Sequence, residues 1–395
     1  MKNEELLKSF SRTTEEVFSI EELKLKLKSG KQLKIKYGVD VTAPTLHIGH
    51  AVNLWMMREM QDMGHKVQFL IGDFTTQIGD PTGKSKTRPM LSKDEIEANI
   101  EAFVNSVKTV LRFDDPNLIE IRRNSEWFDK MNVKEFLKLL SLVTHSRLIS
   151  RDMFRKRIEN SQDIYMHEML YPILQGYDSF MLESDLTIVG SDQLFNEMLG
   201  RFYQEKFGQE PQVIITTKVT PGIDGKEKQS KSLGNYIGLN HSPRDKFGRV
   251  MSIPDNLIIS YFEVYTTVSV EEINEFRLKI EQDPMYYKKL LAEKIVARYH
   301  GDSVALEESK WFADTFSSKK IPTDIKIVEV SKGMTIFDVA IKYFAGKKTN
   351  SEIRRLFSQS AVSENDIKVK DIKTIVSDEA VIKIGKMIWF KVKIK

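Results

Sequence analysis

The sequence has no cysteine, which excludes disulfide bonds and thiolate metal sites and fits a cytoplasmic protein. It has no run of 18 apolar residues and no signal-peptide pattern, so it predicts no membrane-spanning helix. The seven histidines never take the spacing of a zinc-enzyme motif such as H-E-x-x-H. With 41% apolar and 29% charged residues, the composition is that of a globular protein.

Positive charge is unevenly distributed along the chain. The net charge of the whole chain is only +4, but its two parts differ in sign. Residues 331–395 hold 14 Lys and Arg against 7 Asp and Glu, while the remainder is mildly acidic. These basic residues fall within helix and strand patterns, which argues against the alternative of a solvated lysine-rich tail. A length of 395 residues predicts two or three domains.

Apolar periodicity predicts an α/β fold in residues 1–235. A strand, a loop, a helix and a second strand follow one another early in the chain, which indicates a βαβ unit and a doubly wound, Rossmann-like sheet. The predicted helices are 1–29, Gly49–Met63, Tyr165–Glu183 and Gln193–Gln204, and the predicted strands are Leu33–Val39, Val67–Ile71, Leu186–Val189 and Val213–Thr217.

Three other regions depart from this alternation. Residues from about 92 to 165 are expected to form a helical insertion that interrupts the sheet pattern and supplies a dimer contact. A helical domain is expected over 236–320. Residues 331–395 are expected to form a small α+β module that closes with a hairpin over 380–394, turning at Gly385.

The segment Asp40–His50 leaves a predicted strand and opens a helix, so its backbone N–H groups and the helix dipole face an anion. His47 and His50 lie on one face of the first turn, and Gly49 lets an adenine ring approach the backbone. Thr42 and His47 can donate hydrogen bonds to phosphate oxygens. The segment predicts a nucleotide site; the alternative is a helix start that holds two histidines by chance.

A glycine- and proline-containing loop over residues 78–88 follows the second strand. Its Gly-Lys-Ser tripeptide is similar to the end of a P-loop, but Ile78 stands where that motif needs glycine. Asp80, Lys84 and Arg88 are therefore expected at the carboxyl edge of the sheet, where ligands bind. A solvated turn is the alternative.

Tyr171, Gln175 and Asp178 fall on one face of a predicted helix. A phenol, an amide and a carboxylate on one stripe suit a pocket for a polar amino acid better than a core. We expect Tyr171 and Gln175 near an ammonium group and Asp178 as acceptor of a phenolic proton. A solvated helix face is the alternative.

Two further loops carry candidate ribose and phosphate contacts. Residues Gly190–Gln193 join a strand to a helix, where a βα loop presents a carboxylate such as Asp192 to a ribose, or merely caps the helix. Glycines flank Lys228 and Lys231 in the loop 222–234, so these lysines can close over a triphosphate as charge develops on it. A solvated lysine-rich loop is the alternative.

Together these motifs resemble those of the bacterial tyrosyl-tRNA synthetases over nearly the whole chain. Residues 47–50 are similar to the HIGH signature, and residues 228–232 to the KMSKS signature with Gln229 in place of Met. Residues 171–178 and 190–193 resemble the tyrosine and ribose motifs of that family. The segments 70–75 and 78–83 resemble the less studied of the two bacterial subtypes.

The resemblance implies that tyrosine is adenylated with ATP and Mg²⁺ and then transferred to tRNA(Tyr), by a homodimer. It implies that Asp80, Tyr171 and Gln175 hold the ammonium of tyrosine and that Asp178 binds its phenol. The implied ATP contacts are Asp40, Gly49, His50, Gly190, Asp192, Gln193 and Lys231. The residues implied to stabilise phosphate charge during the reaction are Thr42, His47, Lys84, Arg88, Lys228 and Lys231.

Two features depart from the family pattern near the substrate. Val41 stands where proline is usual, and Lys36 stands where the better known subtype has a second tyrosine that contacts the phenol. The second phenol contact is therefore unassigned. These departures leave open a paralogue that adenylates a modified tyrosine.

The C-terminal module resembles a small RNA-binding domain of the ribosomal-protein type. The resemblance implies phosphate contacts from Arg354, Arg355 and Lys386, which would explain the basic excess. A non-catalytic RNA-binding relative is a rival interpretation, but such a protein has no need of pyrophosphate-handling lysines. A tryptophan-specific relative is disfavoured by Gln175 and Asp178 and by the basic module.

Overall fold

The computed structural model describes residues 2–41, 46–79, 92–230, 233–317, 325–346, 348–365, 367–385 and 388–395. The chain forms two compact units, Met1–Ala305 and Leu306–Lys395. No helix in the described ranges is both long and apolar enough to cross a membrane.

A six-stranded sheet forms the centre of the first unit, with the order β1-β6-β5-β2-β3-β4. All neighbouring strands are parallel except β1, which pairs antiparallel with β6 at one edge. The strands are β1 Thr14–Phe18, β2 Lys34–Val39, β3 Lys66–Ile71, β4 Ile119–Arg123, β5 Leu186–Gly190 and β6 Val213–Thr217.

Helices pack around this sheet and extend beyond it. They are α1 Lys2–Phe10, α2 Ile20–Lys28, α3 Ile48–Asp62, α4 Asp73–Thr76, α5 Lys93–Val107, α6 Ser125–Phe128, α7 Val133–Ser141, α8 His145–Ile149, α9 Asp152–Glu159, α10 Met166–Met181, α11 Leu194–Lys206, α12 Pro243–Met251, α13 Ile258–Tyr265, α14 Val270–Lys279, α15 Pro284–His300 and α16 Asp302–Phe312. Helices α10 and α11 pack directly against each other, and a Cβ at Gly176 would lie 2.9 Å from Leu199. Only glycine lets the two backbones approach this closely.

The strand order reverses between β2 and β5. From β2 the chain proceeds to β3 on one side, whereas β5 and β6 lie on the other. Ligands of doubly wound sheets bind beyond the carboxyl ends of the strands at such a reversal. The residues after Val39 and those after Val189 therefore meet at the place where a ligand is expected.

Two predictions of secondary structure were wrong. Residues 1–29 are not one helix, because β1 lies between α1 and α2 and pairs with β6. The insertion 92–165 does not simply interrupt the sheet, since β4 within it pairs in parallel with β3. Charged Glu120, Arg122 and Arg123 occupy this edge strand, and charges on an edge discourage pairing with other chains. Because these residues are charged, the search for apolar runs in the sequence did not identify β4 as a strand.

The second unit contains a five-stranded sheet with the order β7-β11-β10-β8-β9 and two helices over one apolar core. The predicted hairpin is confirmed, since β10 and β11 pair antiparallel with Ile382 opposite Phe390. The elements are β7 Lys326–Val330, α17 Ile336–Phe344, α18 Asn350–Ser358, β8 Val362–Glu364, β9 Ile367–Lys368, β10 Val381–Ile384 and β11 Ile388–Ile394.

Candidate functional site

A cavity of about 480 Å³ opens at the carboxyl ends of β2 and β5. Ten of the residues predicted from sequence line it: Asp40, His47, Gly49, His50, Tyr171, Gln175, Gly190, Asp192, Gln193 and Lys228. Segments far apart in sequence thus meet at one place. Thr42, Asp80, Lys84, Arg88 and Lys231 lie outside the described residues.

The start of α3 is built around a close pair of histidines. His47 caps the helix in an extended conformation, and its backbone N–H donates to Nδ1 of His50 at 3.3 Å. The centroids of their imidazole rings lie 3.8 Å apart. A Cβ at Gly49 would come within 3.0 Å of the His47 ring, so glycine is needed to keep that ring over the helix start.

Lys228 is about 180 residues from this helix start in the sequence, yet it lines the same cavity and reaches the loop after β5. Its Nζ lies 3.5 Å from Oδ2 of Asp192, and both side chains are substantially exposed. Gly190 makes room for that carboxylate, because a Cβ there would lie 2.7 Å from Asp192 Oδ1. An exposed cation and an exposed carboxylate from two separate loops are thus neighbours in the cavity.

Gln229, the residue that departs from KMSKS, fixes the base of the loop 222–234, which we call the lysine loop. Its Oε1 accepts from the backbone N–H of Ile237 at 3.1 Å, and its Nε2 donates to the Tyr265 hydroxyl at 2.8 Å. That hydroxyl also bonds to Thr220, and burial raises the pKa of Tyr265. Sequence analysis missed Tyr265 and Thr220, since neither belongs to a motif.

The other end of the cavity holds a hydrogen-bonded set around Asp40. Oδ2 of Asp40 accepts from the Tyr171 hydroxyl and Oδ1 from Thr75 Oγ1, each at 2.9 Å. A Cβ at Gly72 would clash with both Asp40 and Thr75. The phenol of Tyr171 is therefore held by a carboxylate that follows directly after the carboxyl end of β2.

Gln175 is oriented by two neighbours from α11. Its Nε2 donates to Glu197 Oε1 at 2.8 Å, and its Oε1 accepts from Asn196 Nδ2 at 2.7 Å. These two partners fix the amide orientation, because a carboxylate accepts only from the amide nitrogen and the Asn196 amide nitrogen donates only to the carbonyl oxygen. The carbonyl oxygen keeps a second lone pair that can accept from a further donor.

Asp178 is buried beside the cavity and is not one of its lining residues. Its carboxylate accepts from Trp127 Nε1 at 3.0 Å and from Asn124 Nδ2 at 3.4 Å. Burial raises the pKa of Asp178 to about 8, although the nearby Lys36 ammonium opposes this. Trp127 and Asn124 belong to the insertion, and no local pattern in the sequence identified them.

In the second unit, Arg354 and Arg355 are exposed on α18. Ile353 and Phe357 of the same helix are buried in the core of that unit. The two arginines therefore lie on the outer face of α18, available to a ligand. Lys386 lies outside the described residues.

The family model described as tRNA synthetases class I (W and Y) matches residues 28–317. A tyrosine–tRNA ligase 2 of Clostridium acetobutylicum is 42% identical over 98% of both chains. The tyrosine–tRNA ligase of Thermotoga maritima is 40% identical over 99% of this chain and 98% of its own. Both relatives therefore match from one end of the chain to the other.

Solved structures are similar in fold at lower identity. A C-terminally truncated mitochondrial tyrosyl-tRNA synthetase of Aspergillus nidulans superposes with a TM-score of 0.63 at 22% identity, covering 80% of this chain and 99% of its own. Tyrosyl-tRNA synthetase from Archaeoglobus fulgidus, solved with L-tyrosine, gives 0.61 at 20% identity, covering 78% and 100%. These likenesses confirm the Rossmann-like fold.

Proposed function

This chain belongs to the class I tRNA synthetases for tryptophan and tyrosine, and we propose that it is a tyrosine–tRNA ligase. It activates tyrosine with ATP and transfers the tyrosyl group to the 3′ end of tRNA(Tyr). The observation that carries this function is the single cavity that joins the histidine pair, Lys228 and the Tyr171–Gln175 stripe. A binding protein without catalysis would not need the first two beside the third.

The first step forms a bond between a tyrosine carboxylate oxygen and the α-phosphorus of ATP, and pyrophosphate leaves. In the second step a terminal ribose hydroxyl of tRNA attacks the tyrosyl carbonyl, and AMP leaves. Neither step needs a covalent enzyme intermediate. Positioning of the reactants and stabilisation of negative charge on phosphate oxygens carry the rate.

Each end of the cavity has its own part in this proposal. Tyr171, Gln175 and Asp80 bind the ammonium group of tyrosine, and Asp178 binds its phenol. Asp40, Gly49, His50, Gly190, Asp192 and Gln193 bind the nucleoside of ATP. Thr42, His47, Lys84, Arg88, Lys228 and Lys231 stabilise the phosphates.

We propose that Mg²⁺ binds to the protein together with ATP. Within the described ranges, no group of three or more acidic or histidine side chains is placed to hold a metal ion. Mg²⁺ prefers phosphate oxygens and water to an all-protein cage. Bound together with ATP, Mg²⁺ would supply charge neutralisation on the phosphates, beside the side chains proposed above for the same charge.

The proposal extends to partners and domains. The catalytic domain is 1–235, with the helical domain 236–320 on the anticodon side of tRNA and the basic module 331–395 binding its phosphates. A cytoplasmic homodimer is formed through the insertion 92–165. Exposed apolar side chains there support this contact: Val133, Leu137, Ile158 and Tyr165.

Amino-acid-dependent exchange of labelled pyrophosphate into ATP tests the proposed function. The assay is run with each of the twenty amino acids in turn. Tyrosine should support exchange far above every other, tryptophan included. Exchange with another amino acid in preference to tyrosine would overturn the proposal, and so would absence of exchange with all twenty.

A further inference from the structure

Tyr265 of α13 is a buried residue in the wall of the cavity, and the function proposed above gives it no role. It is only 3% exposed, yet it lines the cavity. A buried hydroxyl is costly unless it is hydrogen-bonded, so its partners show what holds it in place. Both of the hydrogen bonds that the structure gives it go to the lysine loop and to the chain that enters this loop.

The Tyr265 hydroxyl joins the two arms of the lysine loop. It bonds to Oγ1 of Thr220 on the entering arm, and on the returning arm it accepts from Nε2 of Gln229 at 2.8 Å. Between these two residues the chain folds back on itself, and Pro221 lies opposite Lys228. One phenol from a separate helix therefore bridges both arms directly beside Lys228.

The amide of Gln229 depends on this phenol. A backbone N–H can only donate, so the bond of 3.1 Å from the Ile237 N–H identifies the oxygen of the amide and turns Nε2 toward Tyr265. Gln229 is 7% exposed, so its N–H group needs an acceptor within the protein. Methionine, the usual residue of the motif, has no such requirement. Gln229 and Tyr265 are thus a matched pair.

The same amide connects the lysine loop with the start of α3. Residues 237–239 run beside residues 46–48, and two backbone hydrogen bonds of 2.9 Å join them. His47 is the central residue of the paired segment. Since Gln229 accepts from the Ile237 N–H, the bonds that begin at the phenol end beside the histidine pair. They tie the lysine side of the cavity to the histidine side.

A second phenol of α13 fixes the position of the first. Tyr261 donates to the backbone carbonyl of Pro221 at 2.8 Å, and its ring packs edge to face on Tyr265, with 4.9 Å between centroids. Burial raises the pKa of both phenols, so both keep their protons at neutral pH. The helix therefore presents the Tyr265 hydroxyl to the loop at one defined point.

We propose that Tyr265 is a positioning residue for adenylate formation: its hydroxyl holds Gln229, and thereby places Lys228 where its ammonium group reaches the phosphates of ATP. The inference rests on the proposed function, because it takes adenylate formation as the step in which Lys228 acts. Tyr265 itself touches no reacting atom. The rival explanation is a set of hydrogen bonds that only stabilises the fold.

Tyr265→Phe keeps the ring, removes the hydroxyl and leaves the Gln229 N–H without its acceptor. The single-turnover rate of tyrosyl-adenylate formation should fall by about 5- to 50-fold, as for one lost buried hydrogen bond. The loss should be smaller than that caused by Lys228→Ala, because the ammonium group remains and only its placement is lost. Tyrosine affinity, measured by equilibrium binding without ATP, should not change. An unchanged rate, or an equal loss in tyrosine affinity, would overturn the inference.

Gln229→Met separates the proposed route from a general loss of stability, because it removes the N–H that needs the phenol. In a protein that already carries Gln229→Met, adding Tyr265→Phe should lower the adenylation rate by no more than about twofold. Losses that multiply in the double variant would show that Tyr265 does not act through Gln229. This comparison also covers a poorly folded Tyr265→Phe, since Gln229→Met/Tyr265→Phe leaves no amide N–H unpaired at this point.

A second double variant tests whether Lys228 is the group that is placed. Tyr265→Phe should reduce the adenylation rate by a smaller factor in the Lys228→Ala protein than in the wild type, because the ammonium group to be placed is absent. A structural role would reduce the rate by the same factor in both proteins. That outcome would contradict the inference.

Tyr203→Phe is the matched control. Tyr203 is also a buried phenol, it donates to the carbonyl of Leu139 at 3.1 Å, and it does not line the cavity. Its loss should lower the thermal stability without changing the adenylation rate. If it slows adenylation as much as Tyr265→Phe does, the effect is one of stability and the inference is wrong. A wild type that forms no tyrosyl-adenylate contradicts the proposed function instead, before any variant is made.

Discussion

Asp178 shows, at the scale of a single residue, how burial changes the chemistry of a carboxyl group. Its pKa is raised to about 8 by burial, whereas an unfolded chain has a value of about 3.9 for the same group. Between these values the folded protein therefore holds one more proton than the unfolded chain. The resulting contribution to stability is complete below pH 4, and it is lost as the pH rises through about 8.

Asp178→Asn tests this titration, because asparagine keeps the shape of the side chain and cannot ionise. In the ligand-free protein, the free energy of unfolding of the wild type should fall relative to that of the variant between pH 5 and pH 9. Urea denaturation at several pH values measures both. A difference between the two proteins that does not depend on pH would contradict the raised pKa.

At the scale of elements, the lysine loop combines a fixed base with an exposed side chain for which we propose a role in catalysis. Gln229 is buried and bonded on both sides, while Lys228 beside it is mostly exposed. A polar residue at this position ties the loop to Ile237 and to Tyr265 of α13. We expect the reach of Lys228 toward Asp192 to depend on this attachment.

Lys228→Ala should lower the rate of adenylate formation by about 10²–10³, because the charge acts as pyrophosphate leaves. Tyrosine affinity should barely change, since the interaction belongs to the transition state. Single-turnover kinetics and equilibrium binding measure the two quantities. Lys226→Ala, an exposed lysine of the same loop outside the cavity, is the control. Equal losses in affinity and rate would count against this role.

Gln229→Met places the family's usual residue at the base of the loop and removes two hydrogen bonds. The backbone N–H of Ile237 loses its partner, so a loss of about 1–3 kcal/mol in unfolding free energy is expected. Trypsin should also cleave the loop faster, because its base is less firmly held. Thermal denaturation and timed proteolysis check this. A variant as stable and as resistant as the wild type would show that the bonds do not hold the loop.

At the scale of the whole molecule, basic charge and candidate active-site residues occupy different parts of the chain. Residues 331–395 carry a net +7, and they include the two exposed arginines of α18. Every residue proposed for adenylation precedes Leu233. Long-range attraction to a polyanion should therefore be separable from the chemistry.

Cutting the chain near Lys320 should leave tyrosyl-adenylate formation nearly intact and reduce charging of tRNA. The salt dependence of tRNA binding should flatten as phosphate contacts are lost. Arg354→Ala/Arg355→Ala should do the same to a smaller extent, and the exposed pair Lys24→Ala/Lys28→Ala is its charge-matched control. Titration of tRNA at several salt concentrations measures each slope. Equal slopes for full-length and truncated protein would mean that the module does not bind tRNA.

The sequence alone determined the features that depend on neighbours in the chain. The bounds of β2, α3 and β3 were predicted to within one residue, because burial against a sheet imposes a regular apolar spacing. The histidine pair and the lysine loop were found for a similar reason. A helix start or a glycine-flanked loop has a local composition that follows from its backbone.

Only the tertiary structure decided which distant residues meet. Strand β1 exists through its pairing with β6, about 200 residues later, so its own sequence was read as helix. The partners of Asp178 and the buried ion pair of Lys36 with Glu197 likewise join separate elements. Local periodicity reports which face of an element is buried. It carries no information on which charges the fold brings together, because that depends on strand order and on the packing of α10 against α11.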